Sequence, residues 1–323
     1  MQKIRWGILG LGKIAKEFAI ALNREGTGIY AVASREKTKA DIFAKEYQAT
    51  CAYGSYAELL ADDKVDVVYI ATPHSNHHEY IMACLEHGKH VLCEKAITMN
   101  SRQLQEAEAL AKEQKLILAE AITNAHMPLY QKLCEVIQSG KLGKIKMIQV
   151  NFGSWRAYDK SDRFFNKDLA GGALLDIGVY AVSFIRTFLK NTPQKISTLV
   201  QFYETGVDEQ SGIVLNYANG EMATITMALH AKLPKRGIVA CEDGYIEVME
   251  YPRADKAVIT YTHTGEQEVI EEGCMQNALQ YEISDMNRYI CNGNDEGTLS
   301  FTKDVMAIMT AVRKEWGLIY SCE

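Results

Sequence analysis

At 323 residues the chain is long enough for two domains and a substantial core. Its hydrophobic share of 47%, charged share of 24% and net charge of −6 are those of an ordinary globular protein. With no long basic block, nucleic acid is excluded as an expected partner. The eight cysteines form no CxxC pair, and no apolar run approaches the roughly 20 residues of a membrane span. With the N-terminus entering a strand directly, this reads as a cytoplasmic protein without a signal peptide.

The first apolar run ends at Leu9 and enters Gly10-Leu11-Gly12-Lys13-Ile14-Ala15, followed at once by a helix over 14–24. Strand, glycine turn and helix N-terminus in this order make a phosphate-binding fingerprint. The first glycine permits the turn, the second lets backbone approach a pyrophosphate, and the small Ala15 lets helix pack on strand. A second strand, over 28–33, ends in Ser34-Arg35, where an NAD-preferring site places an acidic residue. A hydroxyl and a guanidinium suit a 2′-phosphate, so the cofactor expected is NADP, with NAD possible. Helices over 37–47, 55–61, 76–87 and 101–114 then alternate with strands over 51–53, 65–71, 90–93 and 116–120. This is the pattern of a doubly wound parallel sheet, whose ligands bind at the carboxyl ends of the strands. Those ends are Gly10–Gly12, Ser34-Arg35, Thr72-Pro73, Glu94-Lys95 and Glu120.

After about residue 123 the pattern changes. Period-two alternation over 144–152, 195–203, 212–217, 221–229, 237–240, 245–249 and 257–263 predicts an open, mostly antiparallel sheet. Helices are expected over 127–139, 172–189, 278–292 and 302–317. The fold class is α/β: a Rossmann domain over 1–122 and an α+β substrate-binding and oligomerisation domain over 123–323, the last helix packing back on the first domain.

Two constellations carry chemistry. Lys95 stands at a strand end on the ligand edge, where a lysine beside a cationic nicotinamide suits proton exchange; a surface lysine paired with Glu94 satisfies the same spacing. Asp176 and Tyr180, four apart on a helix, share a face that is otherwise apolar. They suit a substrate hydroxyl, or equally a capped helix start with a core tyrosine. Trp155, Arg156 and Arg163 lie just upstream and read as a polyol pocket or an oligomer contact. His74, His77 and His78 do not make a metal set: adjacent His77 and His78 cannot share one helix face, and no Asp/Cys cluster accompanies them. No metal is expected, and His77 reads as part of a polar loop over the cofactor.

These pieces together resemble the glucose–fructose oxidoreductase / inositol dehydrogenase family, Gfo/Idh/MocA. The matches run in order: Gly7–Ala15, Ala71-Thr72-Pro73 with His77, Glu94-Lys95, Gly171–Gly178 and the closing Trp316-Gly317-Leu318-Ile319-Tyr320. The resemblance implies hydride exchange between NAD(P) and a sugar, polyol or vicinal diol, with the catalytic lysine at Lys95 and the catalytic-helix aspartate at Asp176. It implies a homodimer or larger oligomer formed through the second-domain sheet. Tyr180, where many members have histidine, is similar to the branch holding dimeric dihydrodiol dehydrogenase. Lys95 and Tyr180 then form a proton-transfer pair, either being the base. Relatives also include glycosidases that use transient oxidation, and an NADP-sensing protein without catalysis is the third class. One departure is Ala96, where the family has proline after Glu-Lys. In many members a cis peptide precedes that proline, and a cis bond to alanine costs more.

Overall fold

The computed structural model describes residues 4–323; Met1, Gln2 and Lys3 lie outside the described residues. Strands β1 (Trp6–Leu9), β2 (Ile29–Ala33), β3 (Cys51–Tyr53), β4 (Val67–Ile70), β5 (His90–Glu94) and β6 (Leu118–Ala121) alternate with helices α1 (Lys13–Arg24), α2 (Lys37–Tyr47), α3 (Tyr56–Leu60), α4 (His77–Glu86) and α5 (Ser101–Gln114). The strands pair in parallel in the order β3-β2-β1-β4-β5-β6. The order reverses between β1 and β4, the switch point at which such sheets bind ligands. β4 is Val-Val-Tyr-Ile with all four residues buried, as a strand covered on both faces requires. α1 buries Ala15, Phe18, Ala19 and Leu22 on one face, and Phe18 stacks on Tyr69 of β4 at 3.6 Å between centroids.

The second unit begins with α6 (Thr123–His126) and α7 (Pro128–Gln138). Strand β7 (Ile145–Gly153) and helix α8 (Val179–Phe188) come next. Then follow β8 (Lys195–Phe202), β9 (Asp208–Asn216), β10 (Met222–Ala228), β11 (Leu233–Cys241), β12 (Gly244–Met249), β13 (Lys256–Tyr261) and β14 (Gln267–Glu271). The sheet order is β14-β13-β12-β11-β7-β10-β9-β8, with β7 and β10 parallel and the other pairs antiparallel. Each strand alternates: Ile246 and Val248 of β12 are buried while Tyr245 and Met249 are exposed. The inner face lies under α8, which buries Val179, Ala181, Val182, Phe184, Ile185 and Phe188.

Helices α9 (Ala278–Asn292) and α10 (Thr298–Trp316) complete the chain. Here the expected division needs correction. The compact units are 1–122 with 279–300, and 123–278 with 301–323. It is α9, not the last helix, that joins the first unit. Its Leu279, Ile283, Met286 and Tyr289 fill the core around Trp6 and Phe18, and Trp6 Nε1 donates to Asn287 Oδ1 at 3.1 Å. Four apolar residues on one face ask for a partner without saying which domain supplies it. Strand β14 is new as well; as an edge strand it buries only Ile270, too little for a period-two signal. The stretch over 167–188 is apolar and long enough to cross a membrane, contrary to the reading of composition. Its most apolar window is 83% buried inside the protein, as a core helix is.

Because Ile283 is fully buried in the first unit's core, Ile283→Ala is expected to lower unfolding free energy by about 2–5 kcal/mol. Denaturant unfolding of the cofactor-free protein measures this; a loss below about 1 kcal/mol would mean that α9 is not integral to that core.

Candidate active site

In the first unit, Gly10 turns the chain out of β1 at φ +89°, a conformation open to glycine; a Cβ there would lie 2.9 Å from the Ala71 carbonyl oxygen. Gly12 heads α1 with no side-chain cap and no acidic residue in the first turn, and a Cβ on it would meet nothing within 4 Å. Leu11 is buried, Ile14 packs on the core, and Lys13 and Gly12 are exposed. An uncapped helix N-terminus with open space above its glycine fits a pyrophosphate. The buried Thr72 Oγ1, beside Pro73 at the end of β4, has no hydrogen-bond partner, which also fits a bound group there. At the end of β2, Ser34 is buried; its Oγ accepts from the Glu36 N–H at 3.3 Å and keeps its own proton to donate. Arg35 is exposed, and its charge reaches Tyr56 and Tyr80, which meet edge to face at 5.0 Å.

The loop after β5 carries Lys95, half-buried, and its backbone is braced from several sides. His74 Nε2 lies 3.1 Å from the Lys95 carbonyl oxygen. His77 Nδ1 lies 2.9 Å from that of Ala96, and His77 Nε2 lies 2.9 Å from that of Thr72. The Glu94 carboxylate accepts from the Tyr69 hydroxyl and, at 3.3 Å, from the Lys95 N–H. Glu120, buried at the end of β6, accepts from the Ile97 N–H at 2.9 Å. The Lys95–Ala96 peptide is cis. His77 and Glu94, which sequence reasoning set against the cofactor, also brace this loop. That reasoning missed His74 and Glu120 as braces, since a side chain that answers a loop's backbone leaves no spacing signal.

In the second unit the helix expected over 172–189 starts as a wider π turn, Leu174–Gly178, in which the Val179 N–H bonds the Leu174 carbonyl five residues back. Such turns recur at functional sites, and this one holds Asp176. Asp176 is 5% exposed; Tyr180, one turn on, is half-buried with its ring 6.3 Å from Phe152. Gly172, at φ +114°, lets the chain approach Asp208: a Cβ there would sit 2.1 Å from Asp208 Oδ1. Asp208 is wholly buried, and its Oδ2 accepts from the Leu174 N–H at 2.6 Å, fixing the start of the turn. The chain's end ties down the same place, the Tyr320 hydroxyl donating to the Gly171 carbonyl at 2.7 Å. Arg156 Nη2 lies 3.7 Å from Asp176 Oδ2 and Arg163 Nη2 lies 3.6 Å from Oδ1. Trp155 turns outward, 62% exposed, beside His230. Two of the three expected pocket residues therefore reach the carboxylate.

A glycine turn on a helix N-terminus at the switch point of a parallel sheet defines a dinucleotide-binding domain, here followed by a domain that presents a buried carboxylate and a tyrosine. Residues 4–122 match the oxidoreductase family with an NAD-binding Rossmann fold, and residues 130–247 match the GFO/IDH/MocA C-terminal domain. The chain belongs to the Gfo/Idh/MocA family, and it is an NAD(P)-dependent dehydrogenase or reductase. Among its relatives, trans-1,2-dihydrobenzene-1,2-diol dehydrogenase of Xenopus tropicalis is 30% identical over 98% of this chain and 99% of its own. The Homo sapiens enzyme of that name is 35% identical over 76% and 74%. Among solved structures, KijD10, a 3-ketoreductase from Actinomadura kijaniata in complex with NADP and TDP-benzene, superposes with a TM-score of 0.87 at 25% identity, covering 97% and 98% of the two chains. A levoglucosan dehydrogenase shares the fold, with a TM-score of 0.88 at 18% identity and 98% of each chain covered.

Burial raises the Asp208 carboxyl from 3.8 to about 6, the Leu174 N–H and the Arg313 charge offsetting only part of the effect. The folded protein therefore binds this proton more tightly than the unfolded chain. The group's contribution to stability is full below about pH 4 and is lost as pH rises through about 6. Asp208→Asn cannot ionise. Between pH 4 and 7 the unfolding free energy of the variant relative to wild type is expected to move in its favour by on the order of 2–3 kcal/mol. Denaturant melts at the two pH values test this, and a gap that does not vary with pH would refute it.

Proposed function

We propose that this enzyme is NADP-preferring and moves a hydride between nicotinamide and a carbinol carbon of a sugar, polyol or vicinal diol, with Lys95 and Tyr180 as the proton-transfer pair. The observation that carries the reading is the braced Lys95 loop. Four side chains, those of His74, His77, Glu94 and Glu120, hold backbone groups of residues 95–97 and with them the lysine at the ligand edge of the sheet, the effort expected for a reacting group. The names of the relatives support the substrate class: a diol dehydrogenase, a ketoreductase and a dehydrogenase of an anhydrosugar.

NADP, when bound, supplies the hydride acceptor, or in its reduced form the donor. Gly10 to Ile14 would hold its pyrophosphate at the α1 N-terminus. Ser34 would donate to a 2′-phosphate and Arg35 would pair with it in charge-assisted hydrogen bonds. In the oxidative direction one of Lys95 and Tyr180 takes the hydroxyl proton while the other orients the oxygen. Asp176 holds an adjacent hydroxyl.

Self-association through the outer face of the eight-stranded sheet is proposed as well, since that face exposes Leu199 (82%), Val269 (53%) and Met249 (48%). Light scattering is expected to give twice the 36.2 kDa chain mass or more; a monomer at micromolar concentration would remove this part.

Parallel fluorescence titrations with NADPH and NADH test the cofactor site. NADPH is expected to bind at least tenfold more tightly, the margin falling about tenfold in Arg35→Ala. Lys95→Met and Tyr180→Phe are expected to bind NADPH normally and lose about 10²–10⁴ in kcat. Near-normal turnover in both variants would sink the mechanism. Release of free sugar from a glycoside without net nicotinamide change would favour the glycosidase class, and tight NADPH binding with no turnover the sensor.

A further inference from the structure

The two arginines beside Asp176 have a second relation that the hydride chemistry does not use. The Arg156 guanidinium carbon lies 3.4 Å from the centroid of the Phe164 ring and that of Arg163 lies 3.9 Å from it. Two guanidinium groups cannot both stand so close on one face, so they sandwich the ring. Both reach Asp176 at 3.6–3.7 Å, near enough for attraction but too far for hydrogen bonds. The acids of the loop are engaged elsewhere: Asp159 accepts from the Ser161 N–H and hydroxyl, Asp162 Oδ1 from the Phe164 N–H at 3.1 Å and Asp168 from the Ser321 hydroxyl. Arg156 Nε is buried without a partner.

The arrangement is therefore short of an acceptor. Two cations face one carboxylate, and the stacking uses the flat faces of the guanidinium groups, leaving their N–H edges available. The sandwich is also built in. Gly171 admits the backbone of 163–164 against the helix start, where a Cβ would lie 2.6 Å from the Arg163 carbonyl oxygen. The His230 ring nitrogen lies 2.9 Å from the Arg156 carbonyl oxygen, fixing the other arm. Rigid, stacked guanidinium groups with unfilled donors make a site for an oxyanion.

We propose that the substrate is anionic: the sugar or diol carries a carboxylate or phosphate that Arg156 and Arg163 bind while Asp176 and Tyr180 face its hydroxyls. The inference rests on the oxidoreductase reading above and narrows its substrate class. A neutral polyol leaves one positive charge uncompensated beside Asp176; an oxyanion compensates it and accepts from both forks.

The test compares a neutral hexose, the matching hexuronate and the matching hexose phosphate on the NADPH-loaded protein, by thermal shift and by turnover. At least one of the two anions is expected to raise the melting temperature at concentrations where the neutral sugar does not, the responding one identifying the group. Arg156→Gln and Arg163→Gln are expected to abolish that shift and to lower kcat/KM for the anion at least tenfold more than for the neutral sugar. Arg156→Lys keeps the charge but not the fork and is expected to fall between. Half-molar sodium chloride is expected to weaken the anion's effect.

Equal losses for charged and neutral sugars in the glutamine variants would overturn the proposal and leave the arginines as supports of Asp176. So would weakened NADPH binding with an unchanged anion response, which would assign them to the cofactor's phosphates. No anion response in wild type overturns it outright. An anion shift without turnover would leave this inference standing and defeat the oxidoreductase reading instead.

Discussion

The constraint on which the first unit depends is that backbone groups leaving a parallel sheet must find partners where no further strand supplies them. At the carboxyl edge the chain stops pairing and enters loops in which ligands are to be held. Buried N–H and C=O groups there are answered by side chains. His74 and His77 reach the carbonyls of Lys95 and Ala96, and Glu94 and Glu120 take the N–H groups of Lys95 and Ile97. The glycine turn answers the same need differently: Gly12 heads α1 with no side-chain cap, and in the proposed reading the N–H groups there would meet a phosphate. One part of the edge is thus closed by protein and another left open for cofactor.

The second unit meets the same problem with a carboxylate. A helix that starts inside a core leaves its first N–H groups without partners. Asp208 answers one of them from the first position of β9, with its charge buried. Gly172 exists for this approach, because a side chain there would occupy the oxygen's place. The final residues of the chain fasten the adjacent Gly171 through Tyr320, whose ring lies 4.4 Å from the Arg313 guanidinium. A π turn presenting Asp176 is thereby fixed at its start from two directions, one a strand and the other the chain's end.

What the sequence showed and withheld follows from this division. Strands and helices of the first unit were legible because burial on two faces makes continuous apolar runs, and the glycine fingerprint was legible because it is local. Lys95, Asp176 and Tyr180 stood out because polar groups at strand ends or on an apolar face are anomalies in a pattern. Asp208 did not, since an aspartate opening a strand looks like any turn residue; its weight comes from Leu174, thirty-four positions upstream. The placement of α9 was equally hidden, because Leu279, Ile283, Met286 and Tyr289 specify an apolar face but not the core it enters. Local signals define elements, whereas the braces are long-range and leave no periodicity.

The two buried aspartates of the second unit show what environment does to one chemistry. Asp208 faces backbone N–H groups, with Arg313 acting at a distance, and burial dominates, lifting its carboxyl toward neutrality. Asp176, nearly as buried, faces two guanidinium groups instead. A carboxylate used only to hold a helix start can tolerate the cost of desolvation, since its hydrogen bond survives in either protonation state through one oxygen or the other. In the proposed role a carboxylate that meets a substrate hydroxyl accepts hydrogen bonds, and neighbouring positive charge favours the ionised form that does so. Arg156 and Arg163 supply that charge in excess, and under the proposal above the surplus would draw in an anion that Asp176 alone would repel.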